Sequence, residues 1–181
     1  MDHLQEFIQQ LLTQRPSDWE RLPDFALYMD QVLNYMERQT IHIDEADELT
    51  ASMVNNYAKT GLLPHPEGKK YNQEHLAYLT AICVLKHVMS GKDIELLIRK
   101  EMNDRGNIPQ QGYQSFCSSL DHALSATAKE VEGYDKSDRL ADAAIHFALL
   151  SYASGLVSRQ YVTLLRQEMG ETPVAKKKKG T

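Results

Sequence analysis

The sequence predicts an all-α protein with one small wing. Three observations carry that expectation. Helix-forming residues dominate the 181-residue chain, and long alternating runs of β-branched residues are absent. Apolar residues make up 42% of it, enough for a packed core. One turn-rich basic loop, His65 to Tyr71, separates two stretches of helical periodicity.

The elements follow in order. Leu4, Phe7, Ile8, Leu11 and Leu12 recur at helical spacing, which predicts an amphipathic helix over 3–14. Pro16 ends it, because proline disfavours helical geometry in the residue before it. Ser17 or Asp18 is placed to cap a turn carrying Trp19. Pro23-Asp24 opens a second helix, with Phe25, Tyr28, Met29, Val32, Leu33 and Met36 on one face. Residues 1–39 thus read as N-terminal helices. Ile41 to Glu48 is acidic, through Asp44, Glu45, Asp47 and Glu48, and suits a short solvated helix or a loop.

Thr50 is a fitting N-cap for a helix from Ala51 to about Lys59. Met53, Val54 and Tyr57 would face inward, and Ser52, Asn55, Asn56 and Lys59 outward. Gly61 suits the left-handed position that ends a helix. Leu62-Leu63-Pro64 then leads into the loop, with Lys69 and Lys70 at its tip. Asn72 caps the next helix, with Leu76, Leu79, Ile82, Cys83, Leu85 and Val88 buried, and Ser90 caps another through Ile94, Leu97, Ile98 and Met102.

Residues 103–112 are rich in Asn, Asp, Gly, Pro and Gln, so they read as a linker and the best domain boundary. Two further helices, about Tyr113–Lys129 and Ser137–Met169, make a C-terminal helical hairpin over 113–170. The tail 171–181, with Lys176 to Lys179, is expected to be disordered.

Charge is uneven. The formal net charge is −5. Residues 1–49 carry 3 basic and 11 acidic side chains, whereas residues 50–102 carry 7 and 5. Two cysteines, Cys83 and Cys117, sit among apolar helical positions. With an acidic N-terminus unlike an export signal, they predict reduced thiols in a cytoplasmic protein. No apolar stretch reads as long enough to span a bilayer, so no membrane partner is expected.

The segment 40–102 carries the chemistry. A recognition helix must bury one face and offer the other to base edges. Asn bonds adenine in a bidentate way, Ser reaches bases or phosphates, and Lys neutralises phosphate. Ser52, Asn55, Asn56 and Lys59 form such a set, and they equally suit an ordinary solvated face. Lys69 and Lys70 are placed to grip phosphates and the Tyr71 hydroxyl to bond another. The alternative is a surface turn whose tyrosine packs on Leu62 or Leu76. The order of helix, Gly-Leu-Leu-Pro exit, basic loop, Tyr and helix is that of a winged helix-turn-helix.

At these residues the chain resembles the MerR-type regulators. Val54 to Leu63 is similar to that family's second helix and Gly-Leu-Leu exit, Lys70-Tyr71 to its wing, and Met89 to Ile94 to its turn into the next helix. The chain departs from that pattern in lacking Arg on the recognition helix. A Gly/Pro linker and a hairpin also stand where the long dimer helix would be. It resembles more closely an uncharacterised bacterial family catalogued as a domain of unknown function. The carrying segments are Leu22 to Asp24, Leu27 to Val32, Leu49-Thr50, Asn55 to Lys59, Lys69 to Tyr71, and Leu85 to Ser90, within residues 22–165. That resemblance implies a soluble Gram-positive bacterial protein with a MerR-like head and brings no established activity.

Other constellations are weaker. No His or Cys spacing suits a metal, and no phosphate loop or nucleophile elbow is present, so neither an enzyme nor a cofactor is expected. His122 and His146 read as a structural pairing. The hairpin is a place for a homodimer contact or a ligand pocket, or else fills the core against residues 1–36. The expected function is transcriptional regulation through duplex DNA. The rival is a winged-helix-derived module that binds a protein partner and no DNA, which the charge of −5 favours.

Overall fold

The computed structural model describes residues 2–41, 48–100, 109–133 and 140–170. Among them are seven α-helices and no strand: α1 (Asp2–Thr13), α2 (Met29–Met36), α3 (Ala51–Thr60), α4 (Gln73–Leu85), α5 (Gly91–Ile98), α6 (Pro109–Glu132) and α7 (Leu140–Glu168). A 3-10 turn, Trp19–Arg21, lies between α1 and α2.

Helix α4 is the hub. Every residue from His75 to Cys83 is buried, polar Thr80 included. A helix buried all round must be packed on every side. Helices α2, α5 and α6 supply that packing, while α3 packs on α2 and α1 on α6. Thr80 tolerates burial because its hydroxyl donates to the Leu76 carbonyl at 2.9 Å. Asn72 and Ser90 cap α4 and α5 as the sequence suggests, accepting from the backbone N–H groups of His75 and Asp93.

The second predicted helix is corrected. It begins at Met29, not at Pro23. Leu27 instead exchanges two backbone hydrogen bonds of 2.8 Å with Tyr71, an antiparallel bridge that holds the chain extended. Phe25 and Tyr28, expected on the inner face, are 63% and 52% exposed. Two smaller corrections follow from helix phase. Leu96 is buried in α5, while Leu97 is only half-buried. Val88 lies past the end of α4 and is 68% exposed.

The chain divides into two compact units, residues 1–138 and 139–181. The linker over 103–112 therefore does not separate them. Helix α6 belongs with the first unit, because Tyr113 is fully buried there. Its hydroxyl donates to the Ser17 carbonyl at 2.8 Å, and its ring meets Trp19 edge-on. Arg15 secures the middle of α6, reaching Asp121 at 2.5 Å and Ser125 at 3.1 Å. In the second unit a turn follows α7 and reaches Gly170, whose φ of +70° is the left-handed geometry glycine permits.

The expectation of no membrane-length segment is also corrected. Helix α7 has 29 residues and an 18-residue window of mean hydropathy 1.4, enough to cross a bilayer by length and composition alone. Interspersed Ala, Ser and Gly hide it from a search for an unbroken apolar run. The acidic run at 44–47, the linker at 103–108 and the Lys-rich tail lie outside the described residues.

Candidate nucleic-acid interface

Helix α3 forms because both of its ends are fixed. The Thr50 hydroxyl accepts from the Met53 N–H at 3.3 Å, and Gly61 takes φ +80° at the other end. Val54 and Ala58, four apart, are buried, and Met53 and Tyr57 are half-buried beside them. The opposite face is left to Ser52, Asn55, Asn56 and Lys59, all exposed. These four residues share one side of one helix. Ala58 is the inward residue that the sequence reading passed over.

Leu62 and Leu63 are buried just beyond α3, and the Leu63 N–H donates to the Tyr57 carbonyl at 3.1 Å. The basic loop is thereby anchored at its start. At its tip the Lys70 N–H donates to the Glu67 carbonyl at 2.9 Å, closing a turn over Gly68 and Lys69. Both central residues have positive φ, +56° and +65°, the signature of a tight hairpin turn. Lys69 and Lys70 project from it, exposed.

Tyr71 does not join them. It is 3% exposed and belongs to the core cluster that contains Leu62 and Leu76. Its ring meets His75 edge-on, with centroids 5.5 Å apart. Burial raises its pKa above the ordinary phenol value. The packed alternative of the sequence reading is thus the observed one, and Tyr71 acts as an anchor beneath the loop.

The aromatic residue at the surface here is Tyr28. The ammonium of Lys70 lies 5.2 Å from its ring centroid, within cation–π range. Sequence reasoning missed it by placing Tyr28 inside a helix. The bridging pair Leu27–Tyr71 brings it beside the loop, and a pairing between residues so distant in the chain leaves no local pattern.

Behind the loop His75 is buried at the first turn of α4. The Asn72 N–H donates to its Nδ1 at 3.2 Å. Burial lowers its pKa below the usual imidazole value, opposed by the His65 and Pro64 carbonyls and by Glu74 and Glu67. Elsewhere Cys83 and Cys117 are free thiols, and burial pushes Cys83 up to about 11. No group of three His, Cys, Asp or Glu side chains gathers as a metal site among the described residues.

A family model described as a domain of unknown function (DUF1836) matches residues 17–116. The chain belongs to this family. The matched segment runs from the loop before Trp19 to the first turns of α6, and the Tyr113–Ser17 hydrogen bond ties its two ends together. It contains α3, the basic loop and Tyr28. No curated protein and no solved structure matches the chain.

Proposed function

We propose that this DUF1836 chain is a duplex-DNA-binding transcriptional regulator whose head is a MerR-like winged helix-turn-helix. In this reading α3 is the recognition helix and the loop 64–71 is the wing. The supporting observation is the one-sided display of Ser52, Asn55, Asn56 and Lys59 opposite buried Val54 and Ala58. Asn55 and Asn56 supply the donor and acceptor pair that adenine matches, and Ser52 bonds a base edge or a phosphate. Lys59, Lys69 and Lys70 neutralise phosphates, and Tyr28 holds the Lys70 side chain over its ring. The role first given to Tyr71 passes to these exposed groups.

The test is fluorescence anisotropy with random-sequence duplex DNA across a salt series, beside a Lys69→Glu/Lys70→Glu variant. Each released counterion contributes about 0.9 to the slope of log affinity against log salt. The double variant is expected to lose roughly 2 from that slope and most of the affinity at low salt. An unchanged slope sinks the reading. One observation favours a second reading, a protein-binding module of winged-helix descent. The formal charge is −5, with 11 acidic side chains in residues 1–49. Absence of DNA binding even at low salt selects it.

A further inference from the structure

The turn that carries Trp19 forms one wall of a cleft that the DNA reading does not use. The cleft has a volume of about 390 Å³ and lies between that turn and α6, wholly within the first unit. Arg15, Asp18, Trp19 and Glu20 line one side of it, and Tyr113, Cys117 and Asp121 the other. Its size falls in the range of roughly 300–1,000 Å³ usual for small-molecule sites.

A three-residue 3-10 turn has little stability of its own. Here side chains from several directions pin it. Gln39, only 3% exposed, accepts from the Ser17 N–H at 2.9 Å, and the Tyr113 hydroxyl donates to the Ser17 carbonyl. Gln73 of α4 donates to the Trp19 carbonyl at 2.7 Å. Gln110 and Gln114 of α6 both donate to Oε1 of Glu20, at 3.1 and 3.2 Å. The half-buried Trp19 side chain packs against the core cluster, and Tyr113 meets its ring edge-on. The wall of the cleft is thus fixed before any ligand arrives, which lowers the ordering cost of binding.

We propose that this cleft binds a small organic cation, an ammonium or guanidinium group carried on an apolar body. Three carboxylates line it against one guanidinium, a net charge of −2. That guanidinium is already committed. Arg15 donates to Asp121, to Ser125 and to the carbonyls of Leu11 and Gln14, so an anionic ligand finds no ready donor there. The carboxylates are less committed. Both Gln amides converge on Oε1 of Glu20, and neither bonds Oε2. Asp18 stands at the N-cap position of the turn, yet its side chain makes no cap hydrogen bond. Both groups are exposed and flank Trp19 in the sequence. A charged nitrogen among them donates charge-assisted hydrogen bonds to their oxygens. The apolar body lies against the indole, whose ring attracts the charge as well. A cleft lined by one sign of charge also raises the local concentration of the opposite ion.

Trp19 is the sole tryptophan of the chain, so its emission reports on the cleft directly. The test is titration of the full chain in about 0.15 M salt with three probes that share one ring: benzylammonium, benzyl alcohol and benzoate. Binding is read from Trp19 emission and from ligand-observed saturation-transfer NMR. The expected result is saturable binding of benzylammonium below about 10 mM, with the neutral and anionic probes at least about tenfold weaker. Asp18→Asn/Glu20→Gln is expected to weaken benzylammonium by at least about tenfold. Glu37→Gln/Glu95→Gln removes the same charge from exposed sites elsewhere and is expected to shift it less than about twofold. Far-UV circular dichroism checks that both variants keep their helix content. Absence of saturable benzylammonium binding below about 10 mM overturns the proposal. Equal binding of the three probes overturns it by showing an apolar dent with no charge recognition. Equal weakening in the two double variants overturns it by showing general attraction to an acidic protein. No DNA is present, so failure of the DNA reading leaves the result intact.

Discussion

Lys69 occupies a backbone position that suits glycine or asparagine better than lysine. Its φ of +65° places Cβ too close to the neighbouring carbonyl oxygen, at a cost of about 1–2 kcal/mol for an L-residue with a long side chain. Lys69→Gly is therefore expected to raise stability by roughly 1 kcal/mol in urea unfolding. In the same variant, affinity for duplex DNA is expected to fall. Opposite signs in the two measurements mark a residue kept for its charge, whereas a fall in both marks one kept for packing.

His75 ties stability to pH with a definite sign. Its folded pKa lies below the unfolded value near 6.5, so the unfolded chain binds more protons between those two values. Stability contributed by neutral His75 is fully present above the unfolded pKa and is lost as pH falls toward the folded one. Urea midpoints at pH 7.5 and pH 5 measure this. The His75→Gln variant is expected to lose less of its midpoint over that interval than the parent. An equal loss in both sinks the assignment.

At the scale of the element, α3 depends on its caps. Thr50→Ala removes the acceptor for the Met53 N–H, and a loss of about 1 kcal/mol is expected from thermal unfolding. This helix was legible in the sequence because Thr50, Gly61 and the apolar spacing all act within a few residues. The same holds for Asn72 and Ser90, whose caps are local. What was not legible depends on partners far along the chain. Leu27 is extended because Tyr71 bonds it, and nothing within Pro23–Tyr28 signals that pairing. Tyr71 reads from its neighbours either as a phosphate contact or as packing on Leu62 or Leu76, and only the fold decides for the core. The true reach of α6 was hidden for the same reason. Tyr113 sits beside a polar, Gly-rich stretch, and only its contacts with Ser17 and Trp19 make it a core residue.

Across the first unit, α6 fastens the start of the chain to its hub by packing on both α1 and α4. Tyr113→Phe keeps the ring and removes the hydroxyl that Ser17 accepts from. It leaves a half-buried carbonyl without that donor, and a loss of about 1 kcal/mol is expected by urea unfolding. Because the lost bond joins the two ends of the family segment, the loss should appear as one cooperative transition and not as fraying of α1. A separate early transition contradicts this account of α6.

The Arg15–Asp121 pairing spans 106 positions of the chain. During synthesis the first helix has left the ribosome long before its partner exists. At roughly 5–20 residues per second, α1 waits about 5–20 s for Asp121 to be added. Through that interval its apolar stripe, with Ile8 and Leu11 at the centre, faces solvent or a chaperone. The nascent chain therefore has a window of vulnerability set by translation speed, and it closes only when α6 emerges.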